Sequence, residues 1–123
     1  MIWNFAHDGD IQTDFIVEQG TSGNWSYRIW KSGFKEQWGL ISLNVQPSGW
    51  AQWGIFYYAY MNVSLSTGIF TQPPQVQITS CTSAWAIPLV QDITTSGFKI
   101  GGVRPDSPAV AQTYTFSIYV CGK

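Results

Sequence analysis

An all-β antiparallel sandwich is the fold this sequence predicts, and three observations predict it. Apolar and polar residues alternate with a period of two through most of the chain, and no stretch carries a helical period. Twelve Gly and six Pro punctuate it at short intervals, with Val, Ile, Thr and aromatics between them, which is the composition of strands and turns. The 123 residues, 45% hydrophobic and 11% charged, suit one globular domain with a buried core.

The segments follow in order. Residues 1 to 13 place Trp3 and Phe5 ahead of Asp8-Gly9-Asp10 and read as a connecting arm, while residues 14 to 123 read as a single β-sandwich domain. Asp14 to Gln19 is extended, with Phe15 and Val17 on one face, and Gly20 to Asn24 supplies its turn. Trp25, Tyr27 and Ile29 alternate with Ser26, Arg28 and Trp30, and Ser32-Gly33 then marks a tight hairpin into Phe34, Glu36, Trp38 and Leu40. Ile41 to Val45 continues that arm until Gln46-Pro47-Ser48-Gly49 breaks it. Glu18 and Arg28 lie at similar distances from the first turn and are expected to pair across it, a surface contact worth under about 1 kcal/mol.

Trp53 to Leu65 alternates as one long strand, with Phe56, Tyr58 and Tyr60 apolar on the face opposite Ala59, Met61 and Val63. At about 3.3 Å per residue it would reach about 43 Å, long for a small domain, so a bend or bulge is expected within it. Val76 to Cys81, entered through Pro73-Pro74, and then Ala84 to Gln91 and Phe98 to Ile100 are short strands. Gly101 to Ala109 reads as a loop rich in Gly and Pro. Val110 to Cys121 closes the fold with Tyr114, Phe116, Ile118 and Val120 on one face and Thr113, Thr115 and Ser117 on the other. Strands apolar on both faces exceed what one interior can cover, which predicts an oligomer; semi-exposed aromatics are the plainer alternative.

Composition excludes several function classes. Six Lys and Arg against seven Asp and Glu give a net charge of -1, so no large basic surface exists to grip nucleic acid. No apolar run approaches the roughly 18 residues of a bilayer span, and the N-terminus lacks an export pattern, so no membrane insertion is expected. His7 is the one histidine, beside Asp8 and Asp10 but without a second His or a Cys nearby, and no metal or other cofactor is predicted. No glycines of a nucleophile elbow flank any Ser, and no spacing singles out a glycosidase pair among the seven acids, so the chain is not expected to be an enzyme. Cys81 and Cys121 each end a strand. If those ends were neighbours a disulfide would close a loop of about 40 residues and stabilise by about 4 kcal/mol, but without an export signal free thiols are expected.

Binding remains, and the aromatic content of 16%, from seven Trp, six Tyr and seven Phe, sets its chemistry. Flat rings stack on the C–H face of sugars while neighbouring polar groups bond the hydroxyls. Trp50, Trp85, Arg104, Asp106 and Ser107 lie at or near predicted turns and form the candidate ligand site. No motif marks them, and each also admits a reading as core or as a solvated loop residue.

Asp14 to Trp30, followed by Ser32-Gly33 and Gln37-Trp38-Gly39, resembles the opening of domains in structural proteins of tailed phages and prophages of Gram-positive bacteria. Phe70 to Val76, Thr79-Ser80, Gly97-Phe98 and a final strand ending near Gly122 resemble the C-terminal domains of phage tail fibres and, more loosely, H-type lectins. The resemblance covers the chain from about Asp14 to its end. It implies a homotrimeric antiparallel β-sandwich at the tip of a virion fibre, with its arm continuing from a shaft, other fibre or tail proteins as partners, and loops facing a host cell-surface polysaccharide or other glycan. Such domains often close on a Trp-containing strand where this chain has Tyr119-Val120-Cys121, and no lectin ligand residue can be matched here. Two roles follow: a receptor-binding module using the loops around Trp50, Trp85 and Gly101 to Pro108, or a structural cap that trimerises the fibre without touching a receptor.

Overall fold

A computed structural model describes residues 13–66, 69–81 and 86–123. Among the described residues, nine strands form two antiparallel sheets: β1 (Ile16–Ser22), β2 (Trp25–Trp30), β3 (Lys35–Val45), β4 (Ala51–Trp53), β5 (Phe56–Ser64), β6 (Gln75–Ser80), β7 (Ile87–Gln91), β8 (Gly97–Arg104) and β9 (Gln112–Gly122). The five-stranded sheet has the order β1-β2-β3-β9-β6 and the four-stranded sheet the order β4-β5-β8-β7. The predicted all-β antiparallel sandwich is the fold observed. The arm falls largely outside the described residues.

The core lies between the sheets, where alternation placed it. Tyr114, Phe116, Ile118 and Val120 of β9 are completely buried, facing Ala59 and Val63 of β5 and Phe98 and Ile100 of β8. The longest ladder joins β3 and β9 over eleven residues of each, from Lys35 opposite Gly122 to Val45 opposite Gln112. Trp25 ties the sheets together at one end, its indole N–H donating to the Ser64 carbonyl at 3.0 Å.

Turn chemistry explains the hairpins. Gly23 at φ +60° opens the two-residue loop between Ser22 and Trp25, the first-position glycine of a type II′ turn. In the next loop the Trp30 N–H donates to the Phe34 carbonyl at 2.8 Å and closes three residues, Lys31 to Gly33, whose turn is held by Gly33 N–H donating to the Trp30 carbonyl at 2.9 Å, with Gly33 at φ +93°. Asp14 braces that loop, its carboxylate accepting from the Ser32 hydroxyl at 2.6 Å and the Ser32 N–H at 3.0 Å.

Three expectations need correction. The Trp53 to Leu65 segment neither bends nor bulges; it folds back as a hairpin, with Trp53 opposite Phe56 and Gly54 at φ +63° making the turn. Gly101 is not in a loop, because β8 runs on to Arg104 and pairs Gly101 with Tyr60 and Gly102 with Ala59. A Cβ on Gly101 would stand 2.7 Å from the Ala59 carbonyl oxygen, so glycine here allows close strand approach rather than a turn. Glu18 does not pair with Arg28: a register shift between Ile16 and Glu18 sets Gln19 opposite Arg28, and the two charges fall on opposite faces. Glu18 instead accepts from the Tyr27 hydroxyl at 2.9 Å. Cys81 and Cys121 are both free, since Cys121 pairs with Gln75 at the start of β6 while Cys81 follows its end and donates its N–H to Thr115. Six residues of β9 separate those points, about 20 Å at strand rise.

Candidate functional site

Three of the five sequence-chosen residues meet, through a fourth that was expected only in the core. The Arg104 guanidinium donates to both carboxylate oxygens of Asp106, at 3.2 and 3.3 Å, and to the Tyr114 hydroxyl at 3.3 Å. Tyr114 in turn takes the Trp50 ring edge-on, with centroids 6.0 Å apart. Arg104 and Trp50 therefore anchor the loop end of the sandwich to its core, Trp50 being partly buried against it. Asp106 and Ser107 are exposed, and Trp85 lies outside the described residues. The cluster offers a ligand little: the Arg104 side chain is only 15% exposed and already engaged.

A concave surface missed in the sequence lies on the outer face of the four-stranded sheet. Antiparallel pairing puts directly opposed residues on one face. One row across β5, β8 and β7 therefore reads Tyr60, Gly101, Leu89; the row beside it reads Asn62, Lys99, Gln91, and the row on the other side Tyr58, Val103, Ile87. With no side chain at Gly101 the middle row sinks, leaving a groove of about 340 Å³. Trp53, 69% exposed, lines it from β4, and Tyr60 and Leu89 remain 53% and 39% exposed. The Lys99 ammonium sits 4.9 Å from the centre of the Tyr60 ring and 3.2 Å from the Asp92 carboxylate. The signal for this face was present as the second apolar side of the Phe56 to Tyr60 run. What it lacked was knowledge of which strand stood beside it.

The outer face of the larger sheet is engaged differently. Glu36, 8% exposed, accepts from the Trp30 indole N–H at 2.7 Å and from the Tyr119 hydroxyl. Arg28 Nε lies 3.1 Å from Glu36 Oε1, and its guanidinium covers the Trp38 ring at 4.7 Å. Burial pushes the Glu36 carboxyl up, but the bonds from Tyr119 and Trp30 and the Arg28 charge together hold it below the ordinary glutamate value. Burial, and then the bond to Glu36, push the Tyr119 phenol well above its usual range. Farther along, Ser42 bonds Thr115 at 3.1 Å and Asn44 donates to Thr113 at 2.7 Å. These polar groups satisfy one another across β3 and β9 and are structural.

No protein-family model matches the chain, and no curated protein matches it in sequence. Among solved structures it resembles the N-truncated R1-type pyocin tail fibre, with a TM-score of 0.57 at 13% identity over 91% of this chain and 87% of that one. The two share a fold. A second likeness is to the C-terminal part of the R2 pyocin fibre of P. aeruginosa, with a TM-score of 0.54 at 11% identity, over 91% of this chain but only 26% of the other. At such identity most side chains differ, so what is shared is the backbone arrangement alone.

Proposed function

We propose that this domain is a receptor-binding module at the tip of a virion or virion-like fibre, folded in the producing cell's cytoplasm, that attaches to a host cell-surface glycan. One observation carries the reading: on a fold shared with a tail fibre, the outer face of the four-stranded sheet holds exposed Trp53 and Tyr60 around a groove that no other described residue covers. Aromatic rings with neighbouring amides suit sugar rings, which present C–H on their faces and hydroxyls at their edges. The role is binding rather than catalysis. Three copies in a homotrimer would raise a weak single-site affinity by linkage, without any new contact.

The test is direct. Labelled chain is added to a panel of bacterial cells before and after periodate, which cleaves the vicinal diols of surface glycans. Binding lost on periodate treatment is the expected result; binding that survives it sinks the glycan reading.

A structural cap is the second reading, and β1 favours it. Every residue of that strand is exposed, Val17 at 52%, and among the described residues no strand pairs with its outer edge, which suits contact with another copy or another fibre protein. Light scattering after size exclusion separates the roles when applied to wild type and Val17→Ser. A trimer lost in the variant, with no cell binding by the intact trimer, supports the cap.

A further inference from the structure

We propose that the groove over Gly101 takes one uncharged pyranose ring, held between Tyr60 and Leu89, with Trp53 stacking on the sugar beside it. The inference rests on the receptor-binding reading above and deepens it by naming the site and the ligand class. Tyr60 and Leu89 stand two strands apart with Gly101 between them, a span of about 9.5 Å between backbones at the usual strand spacing. A single pyranose chair is of the size to fit that gap. The volume of about 340 Å³ lies at the small end of ligand sites, which begin near 300 Å³.

The polar lining sets the charge. Lys99 is the one charged residue lining the groove among the described residues, and Asp92 matches it at 3.2 Å. An acidic sugar would have to compete with Asp92 for that ammonium while approaching its carboxylate. A neutral sugar needs no such exchange: its hydroxyls can accept from Lys99 and bond the Gln91 amide, while its C–H face meets the Tyr60 ring.

The experiment uses the full chain on an array of neutral and acidic microbial glycans, at low and high salt, with Trp53→Ala, Tyr60→Ala and the loop variant Asp106→Ala/Ser107→Ala. Thermal unfolding of each confirms folding. Expected are neutral glycans bound with an affinity insensitive to salt, weakened at least about tenfold by Trp53→Ala or Tyr60→Ala and unchanged by the loop variant, as for truncated aromatic anchors. Preference for acidic glycans, with binding that fades as salt rises, overturns the ligand class. Glycan binding lost in the loop variant but kept in both aromatic variants overturns the groove while the receptor-binding reading stands. If no glycan binds and cell attachment also resists periodate, both readings fall.

Discussion

Tyr119 donates its hydroxyl hydrogen to Glu36 from the neighbouring strand, two residues along from the direct cross-strand pair and on the same face, since Glu36 stands opposite Cys121. The bond, with those from Trp30 and Arg28, lets a nearly buried carboxylate keep its charge on a sheet face between the Trp30 indole and the Tyr119 phenol.

Tyr119→Phe should therefore destabilise the fold by about 1.5–3 kcal/mol, the range for hydrogen bonds to charged groups. Acid unfolding should shift as well. A carboxyl held low in the folded state contributes stability that is present above its unfolded value, about 4.3, and lost as pH falls through the lower folded value. Removing the Tyr119 donor raises that folded value, so the acid midpoint should move up in pH. At the alkaline end, the raised phenol contributes stability fully present below about pH 10 and lost as pH climbs toward its folded value. Circular dichroism against pH, wild type beside Tyr119→Phe, reads both limbs.

Gln37 is completely buried on the inner face of β3, and neither of its amide atoms has a hydrogen-bond partner. Gln37→Met keeps the length of the side chain and removes the unsatisfied amide. It should stabilise the domain by about 1–3 kcal/mol, seen as a higher urea midpoint at unchanged slope. An unchanged or lower midpoint would mean that the amide is satisfied in solution.

Much of this architecture was legible because its signals are local. The face of β9 bearing Tyr114, Phe116, Ile118 and Val120 follows from alternation alone, and Ser32-Gly33 marks its own turn. Gly54 and Gly101 show where that reading stops. Gly54 sits inside an apolar strand-like run and Gly101 opens a stretch rich in Gly and Pro, yet the first reverses the chain at φ +63° and the second lies within a strand, close against its neighbour. Only the partner strand distinguishes them. The groove was hidden for the same reason, because Tyr60, Gly101 and Leu89 share a row but are widely separated along the chain. Trp50, Arg104 and Asp106 were chosen only for lying at or near turns, and what joins them is the buried Tyr114, which alternation placed in the core.

Ser32 is the main reason that Asp14 titrates below its ordinary value, through its hydroxyl and then its backbone N–H. Ser32→Ala should raise the Asp14 value toward that of a free aspartate, measured by carboxyl carbon shifts in an NMR titration. A value unmoved by the substitution would assign the shift to the backbone bonds alone.

Gly101→Ala drives a methyl group toward the Ala59 carbonyl oxygen at 2.7 Å and the Tyr60 Cβ at 3.2 Å. It should cost about 1–3 kcal/mol, as overpacking does, and loosen the pairing of β5 with β8. Hydrogen exchange at the β5 and β8 amides should rise above that of β9. Equal protection in all three strands would show that the sheet absorbs the methyl group without opening.

The two faces of β5 and β8 are wired to different constraints. Ala59 and Ile100 answer to the interior, where a single methylene is felt, whereas Tyr60 and Lys99, their immediate neighbours in the chain, answer only to whatever approaches from outside. A lineage of such domains can therefore rewrite its outward vocabulary residue by residue while the inward grammar stays fixed. Divergence among these molecules should concentrate on every second position of the same strands.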